Sequence, residues 1–317
     1  MRDGYAKASS RSIPILLCTD NPLFFAMKTY LDCIPCFFRQ ALAAAKMATD
    51  DEIVHRRVLN SVAFMIPELA LDVTPPEIAQ QVYRVVHEIT GDNDPYRYAK
   101  KRANDLAMSF YPRMKDMVEY SYDPLQTACK LAVTGNNIDL GAQAEYGNMN
   151  TIIEESLSCA LNLDDYKLFK KCITDASLIL YIGDNAGEVV FDKLLIETIK
   201  ELHSVEIVFV VRSVPTLNDA TLTEASSIGI DNIAQLIENG IDGPLPGTLL
   251  ARCSNEVQDV VNRSDLIISK GGGNFDTLDE ERKHLNKNIS FLLLSKCEPY
   301  YRHFGVQIYQ PILSNYY

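Results

Sequence analysis

Short apolar runs alternate with helical stretches in the second half of this 317-residue chain, and this alternation constrains its fold more than any other feature. The candidate strands are Ile179–Gly183, Val205–Val211, Asn232–Leu236, Leu266–Ser269 and Ile289–Leu294. Runs of this length that are rich in β-branched residues and separated by helices are typical of parallel strands. The sequence therefore predicts an α/β fold with a doubly wound, mainly parallel sheet in a Rossmann-like three-layer arrangement.

The first half of the chain has the composition of helices. Phe37–Met47 is rich in strong helix formers, Thr49–Glu52 resembles a helix cap with acidic residues in its first turn, and Pro75 opens a third helix. A fourth helix is predicted from Tyr96 to Tyr120, with a kink or break at Pro112. We therefore expect an N-terminal helical domain.

The change of pattern predicts three segments. Residues 1–26 form an extension or loose arm, residues 27–132 the helical domain, and residues 133–317 an α/β domain that binds a metal and phosphate. The dipeptides Tyr300-Tyr301 and Tyr316-Tyr317 are expected to be packing residues and a terminal tail.

Charge and composition narrow the function classes. The net charge of −12 argues against a nucleic-acid partner, because phosphate backbones attract lysine- and arginine-rich surfaces. Eight dispersed cysteines are unlike a secreted disulfide framework, and no 18-residue apolar span predicts a membrane helix. We therefore expect a cytoplasmic protein whose partner is a small phosphorylated metabolite, with no membrane partner and with its oligomeric state open.

Polar side chains follow three of the predicted strands. Asp184 and Asn185 come after the first, Arg212 and then Asp219 after the second, and the Lys270–Asn274 segment after the fourth. The carboxyl ends of parallel strands meet at one edge of a sheet, so these groups are expected to share a crevice. Carboxylate and amide oxygens suit a divalent ion such as Mg²⁺ or Mn²⁺, whereas lysine, arginine and glycine-rich backbone bind phosphate oxygens.

These segments resemble a known family, the metal-dependent damage-control phosphatases. The resemblance rests on Gly183–Glu188, Pro215–Thr221 and Ser269–Asn274, in this order and spacing. It extends to Gly135–Asp139 and Asn239-Gly240, to Gly247-Thr248, and to the pair Cys33 and Cys36, which is similar to that of a mostly prokaryotic branch. It covers roughly Met27 to Cys297. Gly272 and Asp276 depart from the family pattern, in which a larger polar residue and a glutamate are common.

The resemblance implies a phosphatase that uses Mg²⁺, Mn²⁺, Co²⁺ or Ni²⁺ to hydrolyse sugar phosphates, phosphopantetheine-like or nucleotide-related compounds. Its metal ligands correspond to Asp184, Asn185 and Asp219, and its phosphate-side lysine to Lys270. Glu188 is expected to orient water or a substrate hydroxyl, or else to stabilise its helix. The residues expected to contact substrate are Asn137, Asp139, Arg212, Asn218, Gly271, Gly273 and Asn274.

Several alternatives remain open at this point. The attacking group is either a water molecule or one of the aspartates. An S-adenosylmethionine-dependent carboxyl methyltransferase and a non-catalytic sensor of phosphorylated metabolites are the rival functions. Cys33 and Cys36 are far in sequence from the three strand ends, so we expect them to stand apart from the chemistry.

Overall fold

A computed structural model describes residues 27–135, 146–158 and 160–316 of the chain. A six-stranded sheet forms its centre. In chain order the strands are β1 Leu178–Ile182, β2 Glu206–Val211, β3 Gln235–Glu238, β4 Leu266–Lys270, β5 Asn288–Leu294 and β6 Pro311–Tyr316. Their order in the sheet is β3-β2-β1-β4-β5-β6, and β6 is antiparallel to β5 while the other neighbours are parallel. The predicted α/β class with a mainly parallel sheet is confirmed.

The direction of winding reverses between β1 and β4, the two strands at the middle of the sheet. Chain order runs outward from β1 through β2 to β3 on one side, and from β4 to β5 on the other. Ligands in open α/β sheets bind at such a switch point, outside the carboxyl ends of the strands. The topology therefore directs attention to the residues that follow these strands.

Twelve α-helices accompany the sheet in the described part of the chain. They are α1 Ile34–Ala48, α2 Glu52–Met65, α3 Pro75–Thr90, α4 Arg97–Glu119, α5 Pro124–Thr134, α6 Tyr146–Ser158, α7 Leu163–Asp175, α8 Glu188–Leu202, α9 Leu222–Ser227, α10 Asn255–Arg263, α11 Gly272–Leu285 and α12 Glu298–Phe304. The predicted N-terminal helical region is confirmed. Helix α3 begins with a capping box between Thr74 and Glu77, and α4 continues through Pro112, so the break predicted there is absent.

Two apolar layers cover the two faces of the sheet. Tyr181 of β1 packs with α5, α7 and α8 on one face, whereas its neighbours Leu180 and Ile182 pack with α10 and α11 on the other. Helices α1, α2 and α3 share a third cluster that includes Val58 and Val82. Helix α5 contains the predicted boundary between residues 132 and 133, and the division into domains stays a prediction.

The sequence-based prediction placed the start of the third strand wrongly and did not include the sixth. Asn232, predicted to start the third strand, ends a short 3-10 helix that follows Gly229, and the pairing begins at Gln235. Strand β6 was not predicted. Its Tyr316 ring packs on Phe291 of β5 with the ring centroids 5.7 Å apart, so this tyrosine belongs to the sheet and is not a tail. In the described ranges no helix has the length and apolar character needed to cross a membrane.

Candidate active site

A cavity of about 420 Å³ lies at the carboxyl edge of the sheet. Asp184 and Asn185, which follow β1, line it together with Asn218 and Asp219, which follow β2. The two turns are tied by backbone hydrogen bonds from Ala220 N–H to Asp184 O at 2.7 Å and from Ala186 N–H to Asn218 O at 2.8 Å. The structure therefore brings together the residues predicted to hold a metal.

The two aspartates form a crowded acidic pair. Asp184 and Asp219 are 8% and 2% exposed. Burial, followed by the charges of Asp219 and Glu188, raises the pKa of Asp184 well above its usual range. Burial also raises the pKa of Asp219, although the neighbouring Arg212 opposes this shift. Such a pair favours a cation, because each ionised carboxylate destabilises the other in a site with little water.

The donor chemistry of this cluster fits a divalent ion. Asp184 and Asp219 supply carboxylate oxygens and Asn185 supplies an amide, a set typical of Mg²⁺ or Mn²⁺. The Asn185 amide donates to Asp184 Oδ2 at 2.7 Å and to Glu188 Oε2 at 3.0 Å, so the acids already orient it. Among the described residues, no group of three histidine, cysteine or acidic side chains has the spacing of a metal site. The predicted ligand set thus consists of two carboxylates and one amide.

Arg212 lies behind the acidic pair and not in the cavity lining. The residue is 2% exposed, and its Nε donates to Asp219 Oδ2 at 2.6 Å. Its Nη1 donates to Thr248 Oγ1 and to Asn274 Oδ1, both at 2.8 Å. The Asn274 amide in turn donates to Gly183 O at 2.9 Å. These bonds favour a supporting role for Arg212 and Asn274 over the substrate contact predicted for their side chains.

Lys270 is also behind the cavity wall. Its Nζ donates to Glu188 Oε1 at 2.8 Å, to Asp192 Oδ1 at 2.5 Å and to Ala132 O at 2.8 Å, and the residue is fully buried. Burial alone would lower the pKa of Lys270, but Asp192 and Glu188 outweigh it and raise the pKa. Lys270 is absent from the residues that line the cavity. The geometry thus favours a lysine that positions Glu188 over one that contacts phosphate.

The glycine-rich turn after β4 allows a close approach of the Asp184 side chain. Gly271 has φ of 76°, and a Cβ placed on it would lie 1.8 Å from Asp184 Oδ2. A Cβ on Gly273 would lie 2.0 Å from Pro246 O. The Asp184 carboxylate therefore rests against the first turn of α11, where the helix dipole favours negative charge. Phosphate binding by this backbone stays a prediction, and Asn137 and Asp139 lie outside the described residues.

Comparison with known proteins identifies the family. The model of the damage-control phosphatase ARMT1-like domain matches residues 29–312. The chain belongs to the damage-control phosphatase ARMT1-like family. Membership supports a phosphatase, and hence a hydrolase, as the class of enzyme.

Individual relatives match over nearly their whole length. An uncharacterized protein of Methanocaldococcus jannaschii is 34% identical over 91% of this chain and 95% of its own length. A damage-control phosphatase of Archaeoglobus fulgidus is 32% identical over 87% of this chain and 95% of its own length. The crystal structure of a DUF89 family protein of Pyrococcus horikoshii superimposes with a TM-score of 0.79 at 28% identity, covering 90% of this chain and 98% of that one.

Lys296 is the residue of this family member that sequence reasoning missed. It lies two residues after β5, is exposed, and lines the cavity. Its positive charge also acts on Asp184, where it partly offsets the rise in the pKa of that carboxyl. Among the described residues that line this cavity it is the one lysine or arginine. The strand-end rule that selected Asp184 and Asp219 would also have selected Lys296.

The cysteine pair lines the same cavity although it is far in sequence from the three strand ends, and that it takes no part in the chemistry stays a prediction. Cys33 and Cys36 line the cavity with Cys297, which comes directly after Lys296. Burial raises the pKa of Cys33 and of Cys297 to about 11. These two thiols are therefore protonated at neutral pH and are poor nucleophiles.

We expect the Cys33→Ser/Cys36→Ser variant of this phosphatase family member to keep kcat/KM within about tenfold, or ~1.4 kcal/mol in the activation barrier. Serine keeps the size and the hydrogen-bonding group of each thiol, and acid and metal catalysis do not require a thiolate. Phosphate release measured at equal folded concentration tests this. A folded but inactive variant, judged by circular dichroism, would show that a thiol takes part in the reaction.

Proposed function

We propose that this chain is a divalent-metal-dependent phosphatase acting on small phosphorylated metabolites. The observation that carries the proposal is the buried pair Asp184 and Asp219, which shares one cavity with Asn185 and with the ammonium of Lys296. A cation site next to a lysine suits phosphoryl transfer, in which catalysis is mostly positioning and neutralisation of charge. Mg²⁺, Mn²⁺, Co²⁺ and Ni²⁺ are the candidate cofactors.

Each residue has a role that follows from its contacts. Asp184, Asn185 and Asp219 would hold the ion, which when bound supplies charge neutralisation for the phosphoryl group. Lys296 pairs with a phosphate oxygen that faces the cavity. Glu188 is 1% exposed and is not among the residues that line the cavity. Lys270 donates to one of its oxygens and Asn185 to the other, so these contacts favour a role in orienting the Asn185 amide over the predicted contact with water or a substrate hydroxyl.

The cavity also limits the substrate. A volume of about 420 Å³ is at the lower end of the range for small-molecule sites, so sugar phosphates and parts of phosphopantetheine-like or nucleotide-related compounds fit better than polymers. Apolar side chains from the N-terminal segment and from α1 and α3 form much of the remaining lining, including Met27, Tyr30, Phe37 and Pro75. The chain's net charge of −12 further disfavours polyanions.

A panel of phosphate esters tests the proposal against its rivals. The purified protein is incubated with sugar phosphates, phosphopantetheine and nucleotides, with each of the four ions or with EDTA, and inorganic phosphate and methyl transfer are measured in parallel. We expect metal-dependent phosphate release that EDTA abolishes. Metal-independent methyl transfer would support the methyltransferase, and saturable binding without turnover would support the sensor.

Replacing Lys296 with methionine should lower kcat/KM for phosphate release by about 10²-fold, as expected when one electrostatic stabiliser is lost. Because Lys296 is exposed and lies outside the ligand set, Mn²⁺ binding and thermal stability should change little. The matched control is Lys283→Met, which removes an exposed lysine of α11 that does not line the cavity. Equal activity of the two variants would remove Lys296 from the site.

A further inference from the structure

A further acidic residue, Asp276, reaches the cavity from a helix rather than from the turns after β1 and β2. Asp276 is the fifth residue of α11, is 7% exposed, and lines the cavity. Its Oδ1 accepts a hydrogen bond of 3.0 Å from the hydroxyl of Tyr300, a buried residue of α12 that lines the same cavity. The catalytic roles assigned above use neither side chain.

The surroundings of Asp276 differ from those of Asp184 and Asp219. No lysine, arginine or histidine in the described part of the chain forms an ion pair with Asp276. The titratable groups that face it are Tyr300 of α12, Asp279 of its own helix, and the thiols of Cys33 and Cys297. None of these carries positive charge. The cation of the same cavity, Lys296, acts on Asp184 and forms no ion pair with Asp276, so the surroundings favour the neutral carboxyl of Asp276.

The pKa of Asp276 agrees with this geometry. Burial raises it to about 7, the hydrogen bond from Tyr300 acts in the opposite direction, and Asp279 adds to the rise. A carboxyl with a pKa near the working pH is well suited to deliver a proton in a transition state.

Backbone geometry places the Asp276–Tyr300 pair next to the proposed phosphate site. A Cβ on Gly272 would lie 2.3 Å from the Tyr300 hydroxyl oxygen, and a Cβ on the preceding Gly271 would lie 1.8 Å from Asp184 Oδ2. The tyrosine hydroxyl and the Asp184 carboxylate therefore flank the same two-residue turn. A side chain at position 272 would therefore displace the Tyr300 hydroxyl from its place beside Asp276.

We infer that Asp276 is the general acid of the reaction and that Tyr300 is its positioning residue. This inference rests on the proposed phosphatase function. Asp276 donates its proton to the ester oxygen as the bond from phosphorus to that oxygen breaks, so that the substrate leaves as an alcohol. Water supplies the oxygen of the new bond to phosphorus and releases one proton to solvent, and Asp276 regains one proton from solvent. The sum is one water consumed per ester hydrolysed.

Two esters that differ in their leaving group test the assignment. Glycerol 3-phosphate releases an alkoxide that needs a proton, whereas p-nitrophenyl phosphate releases a stable phenolate that does not. In Asp276→Asn, kcat/KM should fall by about 10²-fold or more for the first ester and less than about threefold for the second. Equal losses for both esters, or no loss for either, would overturn the role of Asp276.

The pH profile gives a second, independent readout. Because the protonated carboxyl is the active form, kcat/KM for glycerol 3-phosphate should fall as pH rises above about 7, and this alkaline limb should be absent in Asp276→Asn. Tyr300→Phe removes a hydrogen bond that lowers the pKa, so its limb should move to higher pH. Asp276→Glu keeps a titratable carboxyl and should retain a limb.

The control is Glu280→Gln, an exposed acid of the same helix, which should match the unmodified protein for both esters. An alkaline limb that persists unchanged in Asp276→Asn would overturn the inference. Failure of the unmodified protein to release phosphate from either ester with all four ions would instead overturn the proposed function, so the two failures are distinguishable.

Discussion

Asp184→Ala and Asp219→Ala are each expected to lower kcat/KM for phosphate release by at least about 10³-fold and to weaken Mn²⁺ binding in parallel. Each change removes an anionic oxygen next to the proposed divalent cation, an interaction that is much stronger in a cleft with little water than in bulk solvent. Calorimetric titration with Mn²⁺ and a phosphate-release assay on the same preparations measure both effects.

The two variants should differ in stability, which separates ligand loss from misfolding. Asp184 is disfavoured as an anion by burial and by Asp219, and its contact with Arg212 is the longer one at 3.4 Å, so Asp184→Ala should change the free energy of unfolding of the metal-free protein less than Asp219→Ala does. Asp219 is bonded to buried Arg212 at 2.6 Å, so Asp219→Ala leaves a buried cation short of its partner and should cost a few kcal/mol. Asp259→Ala, on an exposed part of α10, is the matched control. Undiminished Mn²⁺ binding in both site variants would rule out the ligand assignment.

The carboxyl-edge cluster could be predicted because its causes are local. Asp184 and Asn185 follow the apolar run of β1 closely, and Asp219 lies in the turn after β2; parallel strands place the segments after their carboxyl ends at one edge of the sheet. Strand β6 lacks a comparable local signal, because its sequence Pro-Ile-Leu-Ser-Asn-Tyr contains only two aliphatic residues after the proline, and it is stabilised by contacts such as that of Tyr316 with Phe291. Strand β6 forms because β5 lies beside it in the folded protein and pairs with it.

The cysteines and Asp276 could not be placed in this way. Cys33 comes from the start of the helical half, and it reaches the cavity because α3, which packs against α1, also packs against α11 beside the site. This is tertiary packing between elements that are far apart in sequence. The sequence marked Asp276 only as a departure from a family pattern, and its distinguishing property is its burial next to Tyr300.

Lys270 and Lys296 show that position after a strand does not by itself predict whether a side chain faces the cavity. Lys270 and Lys296 both follow apolar runs at the carboxyl edge, yet Lys296 faces the cavity whereas Lys270 is buried beneath it. The burial of Lys270 could have been predicted from α8, where Glu188 and Asp192 are four residues apart and so share one helix face. Because this face is buried against the sheet, its two acids require a cation, and Lys270 satisfies them.

Lys270→Met is therefore expected to reduce the free energy of unfolding by about 3–5 kcal/mol, because it leaves Glu188 and Asp192 buried without their shared cation. Urea denaturation followed by circular dichroism measures this loss. The double variant Lys270→Met/Asp192→Asn should recover part of the stability, since it removes one of the two uncompensated charges. Lys296→Met, by contrast, should lose activity with its stability intact.

Comparing Lys270→Met with Lys296→Met in stability and in kcat/KM shows which of the two lysines interacts with the phosphate group. If Lys270 only supports Glu188, its kinetic loss should accompany a loss of folding stability, and the double variant should regain stability more fully than activity, because Glu188 still lacks its positioning partner. If Lys270→Met unfolds within about 1 kcal/mol of the unmodified protein yet loses about 10²-fold in kcat/KM, Lys270 stabilises the transition state directly, as the family resemblance implied. Normal stability of that kind is not expected, because Lys270→Met removes the partner that Glu188 and Asp192 hold at 2.8 and 2.5 Å and leaves both side chains buried.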